Sequence, residues 1–244
     1  MIRFILEVIW VVSFLILSIP FLLILLIVGL FSKKAKANIA QAIIDFAFQV
    51  VRLISGTKLI VKGRENIPKD EAVLFVPNHR SVFDIILTYP QFGVQTGFVS
   101  KMEMRKVPIF SSWMAFMNCQ FLDRKDLRKG LKVILKCADL VKNGTSICIF
   151  PEGTRNKTDE PLLPFHDGSL KIAEKSNCPI VPVALTNTEN VFEAHFPKIY
   201  RKTVVIEFCK PIITRDLSKE EKKEISTKLQ EVIAEAYIRN KELV

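Results

Sequence analysis

No Cys-x-x-Cys pair occurs in this chain. Its five cysteines, Cys119, Cys137, Cys148, Cys178 and Cys209, are scattered along it. With only three histidines there is no zinc-ligand spacing either, so no metal site is expected, and the cysteines read as reduced cytosolic thiols that serve packing. No internal repeat and no low-complexity linker interrupts the chain. No nucleic-acid-binding fingerprint is present, and the aromatic residues do not interleave with the basic run, so no nucleic acid partner is expected. No serine or cysteine sits in a recognisable nucleophile turn, which argues against a covalent intermediate. From Val8 to Ser32 there is not one charged residue.

That last absence defines the N-terminus. An apolar run of this length is long enough to span a bilayer as a helix. A secretory signal has a shorter core and a small-residue cleavage site, and neither is found, so the segment is expected to be retained. Lys33, Lys34 and Lys36 follow at once, which assigns that flank to the cytosolic side of a cytoplasmic or inner membrane and to anionic headgroups. Residues 35–55 then repeat Ile39, Ile43, Phe46, Val50 and Leu53 at helical spacing, an amphipathic helix. Two pictures remain open. The first helix spans the membrane, or the pair enters one leaflet and leaves again with a bend allowed by Pro20.

What the chain has in quantity is positive charge: 35 Lys and Arg against 25 Asp and Glu, a net +10, beside 49% hydrophobic residues. Anionic partners follow from that balance. The length of 244 residues accommodates one α/β domain behind a membrane-attachment segment, divided here as 1–55 and 56–244. Past Gly56, short β-rich runs at 57–63, 72–77, 95–100, 119–122, 146–150, 180–185 and 203–208 alternate with helical ones at 81–89, 108–117, 126–142 and 168–176. Ser218 and Glu221 open a last helix over 218–240 with a capping box. This alternation predicts an α/β fold, a largely parallel sheet flanked by helices, preceded by a membrane-embedded two-helix segment.

Two strand ends carry candidate chemistry. Asn78-His79-Arg80-Ser81-Val82-Phe83-Asp84 follows the strand ending Leu74-Phe75-Val76-Pro77. A carboxylate at position 84 that folds back onto the imidazole fixes its tautomer. The other ring nitrogen is then free to take a proton from a substrate hydroxyl. Ser81-x-x-Asp84 is equally a capping box, in which Asp84 only caps backbone amides. The second segment is Phe150-Pro151-Glu152-Gly153-Thr154-Arg155-Asn156, in which glycine permits a tight turn and Arg155 offers a planar fork for phosphate. Glu152 is expected to position that arginine or a substrate hydroxyl. An ordinary polar turn is the plain alternative.

Taken together, Asn78-His79-x-Ser81-x-x-Asp84 followed by Phe150-Pro151-Glu152-Gly153-Thr154-Arg155 resembles the glycerolipid acyltransferase family, and within it the bacterial branch that acylates 1-acylglycerol 3-phosphate. Phe121-Leu122-Asp123-Arg124 and Val181-Pro182-Val183-Ala184 look like two further blocks of the same family, and the resemblance covers about 57–215. It implies His79 as general base and Asp84 as its partner. It also implies an acceptor site built from Glu152, Gly153, Thr154 and Arg155, with Arg124 and Lys101 reaching the phosphate. The implied reaction moves a fatty acyl group from an acyl-carrier-protein or coenzyme A thioester to the sn-2 hydroxyl of lysophosphatidic acid, without a cofactor. Two positions depart from the pattern: Asn118 stands where the second block usually opens with glycine, and His166 where a lysine is common between Phe165 and Asp167. A relative acting on glycerol 3-phosphate or another lysophospholipid, or a non-catalytic membrane-tethered basic adaptor, are the competing readings.

Overall fold

The computed structural model describes residues 1–244, apart from the side chain of Lys219. Three helices come first: α1 (Ile2–Leu17), α2 (Ile19–Phe31) and α3 (Lys33–Ser55). The expected two-helix segment is therefore corrected to three, because the apolar run breaks at Ser18 with a bend of 46°. Pro20 lies in the first turn of α2, where a missing N–H costs nothing, and not at the bend itself. The Ser18 hydroxyl donates to Leu15 O at 3.1 Å and accepts from the Trp113 indole at 2.9 Å, which ties the bend to the part of the chain that carries the sheet. Helix α3 is held along its length as well: the Gln41 carboxamide donates to Val94 O at 3.0 Å and accepts from Thr96 N at 3.1 Å.

The seven expected strands all form: β1 (Lys58–Lys62), β2 (Leu74–Pro77), β3 (Thr96–Lys101), β4 (Gln120–Leu122), β5 (Ser146–Cys148), β6 (Ile180–Thr186) and β7 (Thr203–Phe208). They make one sheet in the order β1-β7-β6-β2-β5-β3-β4. Every neighbouring pair is parallel except β6 and β7. Side-chain alternation sends Phe75, Cys148 and Val181 to one face, where they pack with Leu25, Ile44 and Val51 of the N-terminal helices. Leu74, Ile147 and Ile180 face the other side, against α6 (Leu127–Lys142), α7 (Lys171–Ser176) and α8 (Lys219–Asn240). The first face also receives α4 (Phe83–Thr88) and α5 (Phe110–Phe116) through Phe83, Leu87, Trp113 and Met114. The α8 capping box between Ser218 and Glu221 is present.

Strand order decides where the chemistry collects. The parallel neighbours β6, β2, β5, β3 and β4 all end on one edge, so the loops that follow them stand in a row there. Gly97 lets β3 approach the turn before β4, because a Cβ there would meet Asn118 O at 2.7 Å. Asn118 itself adopts φ 62, the left-handed region that asparagine tolerates better than most residues, so it keeps the turn without glycine.

Candidate active site

β2 is buried at every position, and the residue that follows it is tied sideways: the buried Asn78 carboxamide bonds both the carbonyl (3.0 Å) and the amide (2.7 Å) of Leu185 on β6. His79 therefore leaves the sheet at a fixed point on its edge. Its Nδ1 lies 2.8 Å from Asp84 Oδ2. The same carboxylate oxygen accepts from the amides of Arg80 at 2.6 Å and Ser81 at 2.7 Å. The imidazole contact and the amide contacts that the sequence offers for Asp84 are both present, because one turn brings the imidazole and two amides to one oxygen. Asp84 is 1% exposed, while the His79 side chain keeps 17% of its surface open. Phe150 stacks on the imidazole with centroids 4.1 Å apart, which fixes the ring plane. Among the described residues, His79 Nε2 has no hydrogen-bond partner, so that nitrogen is free to meet a ligand.

The imidazole opens onto a cleft of about 1800 Å³. Its polar lining includes His79, Lys101, Arg124, Gly153, Thr154 and Arg155. Its apolar lining includes Trp10 and Phe14 of α1, Ile44 and Val51 of α3, and Trp113 and Met117 around α5. Lys101 ends β3 and Arg124 follows β4, so strand order alone brings these cations beside the turn that follows β5. Gly153 has φ +69, and a Cβ on it would stand 3.0 Å from the His166 ring and 3.8 Å from the Arg124 guanidinium. Glycine is needed there for its backbone conformation and for that close approach. Partial burial lowers the Arg124 pKa, but a guanidinium stays charged under these conditions. His166, where the family commonly has lysine, faces this turn and lines the cleft.

Glu152 requires a correction. It was expected in the acceptor site, yet it is 3% exposed and does not border the cleft. Its oxygens accept from the backbone amides of His79 at 2.6 Å and Leu163 at 2.9 Å. Burial raises its carboxyl above the ordinary value, while those two amide hydrogen bonds pull the other way. The residue supports the segments on either side of it and does not contact Arg155. Glu152→Ala would leave two buried amide hydrogens without acceptors, a loss of about 2–5 kcal/mol. Thermal unfolding should register that loss, while the acceptor KM measured well below the melting temperature stays near wild type. A raised KM with an unchanged melting temperature would restore the ligand role.

Two residues that the sequence gave no reason to single out complete the surroundings. Glu193, in the connection after β6, accepts from Arg155 Nη1 at 2.8 Å, from the Val82 amide at 2.7 Å and from the Ser81 hydroxyl. Arg80 is buried, donates to the carbonyls of Thr158 at 2.7 Å and Glu160 at 2.9 Å, and pairs with Glu189 at 3.1 Å. It fixes the loop after Arg155. Neither partnership has a sequence signal, since each closes across more than seventy-five positions or comes from a different connection.

Residues 58–186 match the family model described as Acyltransferase. The chain belongs to the acyltransferase family. The chain is 31% identical over 199 residues to a 1-acyl-sn-glycerol-3-phosphate acyltransferase of Saccharomyces cerevisiae, an alignment that covers 80% of this chain and 65% of the yeast protein. It is 32% identical over 194 residues to a probable 1-acyl-sn-glycerol-3-phosphate acyltransferase of Mycoplasma pneumoniae, covering 74% and 71% of the two chains. The chain thus spans just under two thirds of the yeast relative. Its fold is similar to the crystal structure of the 1-acyl-sn-glycerophosphate (LPA) acyltransferase PlsC from Thermotoga maritima, with a TM-score of 0.80, 26% identity, and 98% and 97% of the two chains covered.

Proposed function

We propose that this protein transfers a fatty acyl group from an acyl thioester to the sn-2 hydroxyl of lysophosphatidic acid, giving phosphatidic acid. The observation that carries the reading is the His79–Asp84 pair, 2.8 Å apart, at a cleft lined by both cationic and apolar side chains. With Asp84 ionised, the Nδ1 hydrogen donates to it and Nε2 acts as base. Nε2 takes the proton of the sn-2 hydroxyl as that oxygen attacks the thioester carbonyl. The tetrahedral oxyanion is met by backbone amides of the turn. Gly153 N already donates to Phe150 O at 3.1 Å, which leaves the Thr154 and Arg155 amides for that task. Collapse expels the thiolate, and the imidazolium returns the proton to it. No cofactor and no metal enter these steps. Arg155, Arg124 and Lys101 grip the acceptor phosphate through charge-assisted hydrogen bonds.

The cleft volume favours two long-chain substrates held together, since sites for one small ligand run to roughly 300–1,000 Å³. Its apolar walls come partly from α1 and α3, which supports an acceptor entering from a membrane on the cytosolic side, with those helices seated in one leaflet. Helix α3 is tied to Val94 and Thr96 and so stays with the catalytic half. Exposed Arg128, Lys129, Lys132 and Lys136 on α6 suit an acidic acyl carrier protein as donor better than they suit a neutral partner. The test is a purified-protein assay that pairs lysophosphatidic acid or glycerol 3-phosphate with acyl-carrier-protein and coenzyme A thioesters. Lysophosphatidic acid should be the preferred acceptor, and Arg155→Ala should raise its KM about 10- to 100-fold, the worth of a charged hydrogen bond. Preference for glycerol 3-phosphate would overturn the acceptor assignment.

A further inference from the structure

We propose that Glu193 is a positioning residue that makes the site selective for a phosphate-bearing acceptor, because one carboxylate anchors both Arg155 and the start of α4. This deepens the function proposed above and rests on Arg155 as a phosphate ligand. The Glu193 Oε1 atom accepts from Arg155 Nη1 at 2.8 Å and from the Val82 amide at 2.7 Å, and Oε2 accepts from the Ser81 hydroxyl. The Ser81 oxygen accepts in turn from the Phe83 amide at 2.9 Å. Asp84 is the next residue, and its oxygen holds the His79 ring. A continuous run of hydrogen bonds therefore joins the headgroup cation to the element that orients the base.

The carboxylate is well placed for this. Glu193 occupies only one donor position of the guanidinium, which has five N–H groups, and the Arg155 side chain is 47% exposed, so other donors remain for a phosphate. An arginine already held in one rotamer gives up less side-chain entropy when the ligand arrives. The loop is itself seated: Phe192 stacks on Phe4 of α1 with centroids 5.7 Å apart and planes within 18°. A carboxylate beside a cation has a second possible consequence, namely competition with the incoming phosphate. The direction of the KM change separates positioning from competition.

The experiment compares the full-length wild type with Glu193→Gln, Arg155→Ala and the double variant. The acceptors are lysophosphatidic acid and monoacylglycerol, which lacks the phosphate, and thermal unfolding is followed in parallel. Glu193→Gln is expected to raise the lysophosphatidic acid KM about 10-fold, and to cost monoacylglycerol turnover several-fold less than it costs lysophosphatidic acid turnover. In the Arg155→Ala background the same substitution should add little, because the two side chains act as a unit. A KM that falls shows competition and overturns the proposal, as does an equal loss on both acceptors or full additivity in the double variant. If Glu193→Gln does not fold, Ser81→Ala, which removes the Oε2 donor and leaves both charges, should raise the same KM about 3-fold. Wild-type kinetics in that variant overturn the proposal. If Arg155→Ala leaves the lysophosphatidic acid KM unchanged, the phosphate assignment itself fails, a result distinct from those of the Glu193 variants.

Discussion

His79→Ala is expected to lower kcat by about 10²–10⁴-fold, the usual contribution of a positioned general base, with the folded state retained. The expectation rests on geometry. Nδ1 is committed to Asp84 at 2.8 Å, the ring is stacked on Phe150 and partly exposed, and Nε2 is open to the cleft. The neighbouring hydrogen bonds of the turn do not depend on the ring. Asp84 accepts from the Arg80 and Ser81 amides, and Glu152 accepts from the His79 amide, so truncation at Cβ leaves all three in place. The measurement is steady-state acyl transfer alongside a thermal melt. Near-normal kcat with an intact melt would remove His79 from the reaction. Asp84→Asn should cost less stability than Asp84→Ala while still losing the base, because an amide cannot stabilise the imidazolium.

The second large effect concerns attachment. The outward side of α1 and α2 is apolar without interruption, with Ile24, Ile27 and Leu30 at 55%, 60% and 82% exposure. None of the three borders the cleft. Each such side chain gains about 1.5–3 kcal/mol when removed from water. Replacing all three with aspartate should therefore weaken partition into anionic phospholipid vesicles by more than about 10³-fold. Vesicle flotation measures this directly. Turnover of a short-chain acceptor dispersed in solution should survive, because the cleft walls are untouched. Retention of the triple variant on vesicles would show that these helices are not the mooring. The need for one is energetic. Each acyl CH₂ costs about 0.8 kcal/mol to expose to water, so lifting a long-chain lysolipid out of a leaflet costs on the order of 10 kcal/mol.

Local signals settled much of this protein in advance. The alternation of short β-rich and helical runs gave all seven strands, because each is a short apolar run bounded by turn residues. His79 and Asp84 were legible because a single turn determines their separation, and five positions of sequence suffice to close it. Gly153 was legible because a turn with positive φ and a close neighbour favours a residue without Cβ. The charge-free run announced an apolar surface but not its break at Ser18, which is fixed by the Trp113 indole from far along the chain.

Tertiary structure decided what depends on which strands are neighbours. The order β6-β2-β5-β3-β4 brings Lys101, Arg124 and Arg155 into the same cleft as His79, and no local pattern encodes that order. It also turned Glu152 from an expected ligand into a buried support, because its side chain points between two loop amides rather than into the cleft. Glu193 became the partner of Arg155 in the same way. A carboxylate in an aromatic loop carries no sequence mark of its role, since hydrogen bonds across long separations are fixed only when packing brings their ends together.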